Sequence, residues 1–207
     1  RAYEMTGGQF PKQLRNAAKA YTTGALFEEA VQVWERLANL PRADEAMRRE
    51  AKEQLLAVRT LWSDQLKGQG DAAHKGRQSR SAGDAYVRAF RASGRSRGDV
   101  LLLAAKDYED AKRRDDAHLA YAALERLVGV DAATATAARD NGQRVLQATR
   151  GHAAANLGLD WLASGQHAKA AEQLLIAFDA TRERMHLRLA AHALETADLH
   201  DQAFATW

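Results

Sequence analysis

Apolar residues along this chain recur at intervals of three and four, which predicts a series of amphipathic helices. A first helix opens at Pro11, a residue suited to a helical first turn, and runs to about Thr23. Gly24 turns the chain, and Leu26 to Leu40 forms a partner helix stopped by Pro41. Residues 43–67 carry the stripe Leu55, Val58, Leu61, Trp62 and Leu66 and predict another helix. Gly68 and Gly70 predict a turn near 68–70, with helix resuming over about 71–92. Residues 93–98, SGRSRG, read as a linker. Helices follow at about 99–112 and 115–128, and Asp131 is placed to N-cap a helix over 132–149. Gly151 reads as an interruption before 153–163, and helices over 167–181, 184–197 and 199–207 finish the chain. Residues 1–10 read equally as the tail of a preceding helical pair or as a frayed end.

The pattern is sharpest from Asn156 to Ala177. Leu157, Gly158 and Trp161 share a face. Gly158 removes a side chain where a second helix must come close, and Trp161 supplies a large apolar body beside that gap. Ser164-Gly165 ends the helix, with Gly165 suited to the left-handed conformation. Ala170, Leu174 and Ala177 then make the facing stripe. Small residues set against large ones at these spacings let two antiparallel helices interlock.

The same arrangement recurs at fixed distance. Leu14, Ala17, Ala18, Tyr21, Ala30, Trp34 and Leu37 are each followed 87 positions later by Leu101, Ala104, Ala105, Tyr108, Ala117, Tyr121 and Leu124. A further 86 positions on stand Leu187, Ala190, Ala191, Leu194, Ala203 and Trp207. A weaker copy centres on Ala82, Tyr86 and Ala89. Short and long units therefore alternate, the long ones exceeding the short by roughly 19 residues, about five helical turns. That excess is either a longer helix or an additional one.

The unit built on Leu157, Gly158, Trp161, Gly165, Ala170 and Ala177 resembles a tetratricopeptide repeat, a helix–turn–helix of about 34 residues. The resemblance implies an all-α, right-handed superhelical solenoid of antiparallel hairpins over 1–207, with repeats at about 11–41, 43–93, 98–129, 131–182 and 184–207. It also implies a non-catalytic scaffold that binds another protein, as a peptide or helix in its groove or as a folded partner. Arrays of this size occur among scaffolds of bacterial envelope assembly and exopolysaccharide export, where they recruit enzymes. Two alternatives are a sensory or regulatory array fused to an effector domain, and a helical superstructure of a larger enzyme.

Composition agrees with helix. The chain has 46% apolar residues in 207, enough for a substantial core, and its one isoleucine is Ile176. No stretch reaches the apolar length of a membrane-spanning helix. The absence of cysteine excludes disulfides, thiolate metal sites and cysteine nucleophiles. Lys and Arg number 30 against 27 Asp and Glu, a balance that makes nucleic acid an unlikely partner. The start at Arg1 and the end at Trp207, midway through a repeat, read as a piece of a longer array. High Ala and Arg with little Ile and Lys points to a GC-rich bacterium, with the periplasm favoured over the cytoplasm by analogy alone.

Candidate binding residues follow from the resemblance, in which outward positions of the first helix of each hairpin line the concave surface. These are Lys12, Arg15, Lys19 and Thr22; then Leu102, Lys106, Glu109 and Asp110; then His152, Ala155, Leu159 and Leu162; and finally Met185, Arg188, His192 and Glu195. Independently, Arg77, Arg80, Arg88, Arg91 and Arg95 fall near one face of a predicted helix, offering an anionic partner a cationic track. The competing reading is a solvated face paired with acids of the next helix, such as Asp107 and Glu109. No aromatic is interleaved as a stacking platform for nucleobases. Five histidines cluster from His152 to His200, but none at the i, i+3 or i, i+4 spacing of a helical metal pair. His192 with Glu195 is the one pairing a metal could share. No GxSxG or HExxH motif is present, and no nucleophile lies beside a base. No catalytic, cofactor or metal residue is assigned.

Overall fold

The computed structural model describes residues 11–206, and the expectations placed on residues 1–10 and on Trp207 lie outside them. The described residues form ten helices and no strand. They are α1 (Pro11–Thr23), α2 (Phe27–Ala38), α3 (Glu45–Lys75), α4 (Ser79–Ala92), α5 (Gly98–Asp110), α6 (Arg114–Glu125), α7 (Ala132–Ala163), α8 (His167–Thr181), α9 (Arg184–Thr196) and α10 (His200–Thr206).

The helices themselves repeat. α5, α6, α7 and α8 begin 87, 87, 87 and 88 positions after α1, α2, α3 and α4, while α9 and α10 begin 86 after α5 and α6. The extra length of the long units is settled: α3 and α7 are single helices of 31 and 32 residues. Both open on an aspartate cap. Asp44 Oδ1 accepts from Met47 N at 2.7 Å, and Asp131 Oδ1 accepts from Thr134 N at 2.9 Å.

Two glycine readings are overturned here. The predicted turn at 68–70 does not exist, since α3 passes unbroken through Gly68 and Gly70 and the chain turns at Gly76–Gln78 instead. Gly151 does not interrupt α7 either. At Gly70 and Gly151 the missing side chain makes room for a neighbour. A Cβ on Gly70 would lie 2.5 Å from the Tyr86 ring, and one on Gly151 would lie 2.7 Å from Ala180 Cβ. Leu61, assigned to the α3 stripe, is instead half in water, while Val58 and Leu66 are buried.

The chain divides into two compact units, Arg1–Ala111 with Arg126–Val130 and Lys112–Glu125 with Asp131–Trp207. In the first unit, α1 to α5 each pack on the next helix in sequence. Trp34, Leu37, Ala30 and Ala18 are completely buried, and the Trp34 indole donates to Thr22 Oγ1 at 3.3 Å. Two tyrosines lock successive helices by one device used twice. Tyr86 of α4 fills the space above Gly70 and donates its hydroxyl to Asp71, the next residue, at 2.8 Å. Tyr108 of α5 fills the space above Gly83 and donates to Asp84, again the next residue, at 2.8 Å. Burial, with the Asp71 hydrogen bond second, pushes the Tyr86 hydroxyl far above its usual range.

In the second unit, α6 to α10 also pack each on the next. Gly158 sits where the sequence requires it: a Cβ there would meet Leu174 Cγ at 2.8 Å and the Ala170 carbonyl at 3.3 Å. Gly70 with Tyr86 and Gly158 with Leu174 are one pairing in two copies, each with a separation of 16 residues and the copies 88 apart. Trp161 is only part-buried, packed against the cluster of Ala170, Ala171, Ala193, Leu194 and Ala203, with the Lys169 ammonium 4.9 Å from its ring centroid.

Turns between paired helices share one geometry. The backbone N–H of Leu26, Gln78, Gln166 and Leu199 each reaches the carbonyl five residues back at 2.9 Å, which closes a Schellman turn. The left-handed residue is Gly165 in one of these turns but Ala25, Arg77 and Asp198 in the others.

Candidate partner-binding faces

The outward positions of α1 do not form an open basic track. Arg15 Nε and Lys19 Nζ both reach Glu50 of α3, at 2.8 and 3.0 Å, and these hydrogen bonds, that from Lys19 foremost, hold the Glu50 carboxyl below its ordinary range. Thr22 is occupied by the Trp34 indole. Lys12 remains exposed, as does Lys106 of α5, whereas Leu102 is half-buried. Of α7, Leu159 is 47% exposed, but Ala155 is buried with Ala154 and Ala177 and belongs to the core rather than to a groove.

α9 carries the most open apolar surface of these positions. Arg184, Met185, Arg188, Leu189 and His192 line an open concavity of about 540 Å³, with Met185 63% exposed. Three of the five were expected from sequence. Arg184 and Leu189 were not, although each stands one residue from an expected one and four from another member of the set, Arg188 or Met185. A second concavity of about 350 Å³ is lined by Lys112, Arg113, Arg114, Asp115, Asp116, Thr149 and His152. Its charges partly satisfy each other, Arg113 Nε standing 2.7 Å from Asp116 Oδ2.

The arginine stripe is only partly helical. Arg80, Arg88 and Arg91 lie on α4, while Arg77 and Arg95 stand in the loops at either end with positive φ of 58° and 64°. All five are exposed. The expected pairing of the stripe with Asp107 does not occur. Asp107 is buried and bonded to His74 Nδ1 at 2.9 Å, and that bond raises the His74 pKa. Arg97, outside every expectation, ties the start of α5 to α3 through Ser63 at 3.3 Å and through Asp64, and is itself held by Asp99 at 2.8 Å. Both tyrosine locks carry a Gly-Asp dipeptide, at 70–71 and 83–84, but the same dipeptide at 98–99 pairs its aspartate with Arg97, so the signal alone would not have found them.

His192 Nδ1 stands 3.8 Å from Glu195 Oε2 as a helical pair, and among the described residues no three His, Asp or Glu side chains converge as a metal-ligand set. Among the same residues no helix is long and apolar enough to cross a membrane. No family model matches the chain, and no curated protein matches it.

Proposed function

We propose that the chain is a tetratricopeptide-like, right-handed solenoid that works as a protein-interaction scaffold without chemistry of its own. The observation that carries this reading is how differently inner and outer positions behave between copies. The inner registers keep their size class: Ala30, Ala82, Ala117 and Ala170 are all completely buried, and Trp34, Tyr86, Tyr121 and Leu174, each four residues on, are at most 2% exposed. The outer registers change freely. Lys12, Asp99 and Met185 are counterparts, as are Arg15, Leu102 and Arg188, and Lys19, Lys106 and His192. Packing constrains the first set, while the second is free to be matched to a partner.

Within that reading the α9 concavity is the leading site. Met185 leaves apolar surface in water, and covering such surface is favourable by about 25 cal/mol per Å². Arg184, Arg188 and His192 rim it with donors, which suits a peptide or helix that presents an apolar anchor between carboxylates. By the same resemblance we place the protein among scaffolds of bacterial envelope assembly or exopolysaccharide export. The test is affinity capture with the wild-type chain beside Met185→Asp/Arg188→Glu. Partners retained by the wild type should be lost from the variant while its helical circular dichroism is unchanged. Equal retention by both would remove α9 as the binding face.

A further inference from the structure

The arginine stripe of α4 is a feature the fold does not need, because the chain contains its own control. α8 is the counterpart of α4, 88 positions on. It buries the equivalent residues, with Ala170, Ala171, Leu174 and Ala177 standing where α4 has Ala82, Gly83, Tyr86 and Ala89. Yet the positions of Arg77, Arg80, Arg88, Arg91 and Arg95 are filled there by Gly165, Ala168, Ile176, Asp179 and Glu183. The same element forms with no cation at any of the five positions.

Nor are these arginines used internally. None of the five has a side-chain hydrogen bond or ion pair among the described residues. Arg77 even occupies the left-handed turn position where its counterpart is Gly165, at φ 58° against 74°. A β-carbon is disfavoured in that conformation, whereas glycine takes it freely.

We infer that this stripe is a second docking surface, distinct from the α9 concavity, and that its partner is an acidic polypeptide segment. Three features together lead to that chemistry. First, all five cations are arginine, whose planar fork takes a carboxylate or a phosphate with two parallel hydrogen bonds across a docked interface, so the choice between the two rests on the other features. Second, Asp84 lies on the same face between Arg80 and Arg88, held by the Tyr108 hydroxyl at 2.8 Å. It divides the cations into two groups, and the eight residues from Arg80 to Arg88 put about 12 Å of helix between them. A phosphodiester backbone carries charge without interruption and would meet that carboxylate, whereas a polypeptide can place acids at the two groups and a neutral or basic residue between. Third, the stripe has neither the stacking ring that single-stranded nucleic acid uses nor the exposed apolar residue that anchors a helix in a lipid interface. Tyr86 is buried, Phe90 is half-buried, and no large apolar side chain of α4 is exposed.

The test titrates the whole chain with three probes at 150 mM salt: a 20-residue glutamate-rich helical peptide, a 20-nucleotide uridine RNA, and vesicles containing phosphatidylserine. The peptide should bind most tightly. Arg88→Glu/Arg91→Glu should weaken it roughly tenfold or more, the loss of about two charge-assisted contacts. Arg80→Ala/Arg91→Asp installs residues that α8 already carries, so it folds, and it should weaken the peptide in the same direction. Asp84→Asn should tighten it. Met185→Asp/Arg188→Glu should leave it unchanged, which separates this surface from the α9 reading. Peptide affinity that survives both arginine variants, tighter binding of the RNA or the vesicles, or no binding of the peptide would each overturn the proposal.

Discussion

At the scale of single residues, three of the helix contacts rest on pairs in which one member is missing a side chain. Gly70 admits the Tyr86 ring, Gly83 admits Tyr108 and Gly158 admits Leu174. The acid following the first two glycines then accepts the tyrosine hydroxyl, so ring burial and hydroxyl satisfaction are solved together. Turn residues are less well matched to their conformations. Ala25 is left-handed at φ 55°, whereas the adjacent Gly24, equally exposed, does not have positive φ. Ala25→Gly should relieve about 1–2 kcal/mol of backbone strain and return part of it through unfolded-state entropy. The expected outcome is a net gain of about 0.5–1 kcal/mol in urea unfolding, and a loss would show the left-handed turn to be wrong. These turn residues were not legible in the sequence, because alanine, arginine and aspartate do not announce positive φ as Gly165 does.

At the scale of elements, the helices that could be read from periodicity alone were read well, and the errors cluster on glycine. The stripes of α1, α2, α8 and α9 follow 3.6-residue spacing and end near a glycine, a proline or a Schellman turn, so their bounds were legible to within two residues. α3 and α7 hid their true length. Each contains interior glycines that local propensity reads as breaks, whereas the helix runs on through Gly68 in open space and Gly70, Gly151 and Gly158 serve close approach to a neighbouring helix. The start of α7, by contrast, was signalled by Asp131, and Asp44 caps α3 in the same way. The Asp131 carboxyl is held below its ordinary range, first by the Thr134 backbone N–H and then by the Thr134 hydroxyl. A depressed folded-state pKa means the cap stabilises above the unfolded-state value and stops doing so as pH falls through the folded one. Asp131→Ala should therefore lower the melting temperature at pH 7, and the gap to wild type should close as pH drops below the ordinary aspartate range. A gap independent of pH would show that the carboxylate charge has no part in the cap.

At the scale of the whole molecule, one helical module of about 87 residues is used, used again and begun a third time. The inner registers of the copies interlock small against large, and the outer registers have gone separate ways: arginines on α4, an apolar concavity on α9, an ion-paired face on α1. The candidate surfaces were legible in proportion to how far they depend on exposure alone. Met185, Arg188 and His192 line one concavity, whereas Arg15 and Lys19 were taken from the α1 face by Glu50, a residue of α3 that periodicity could not assign to them. Equilibrium unfolding of Gly68→Ala, Gly70→Ala and Gly158→Ala tests the interlock most directly. Gly68 has open space around its missing side chain, so alanine there should stabilise by up to about 1 kcal/mol. At Gly70 and Gly158 the new methyl would meet Tyr86 and Leu174, and both variants should lose about 1–3 kcal/mol. If all three substitutions were equally tolerated, neither copy would be held internally by small residues set against large ones, and the account would be contradicted.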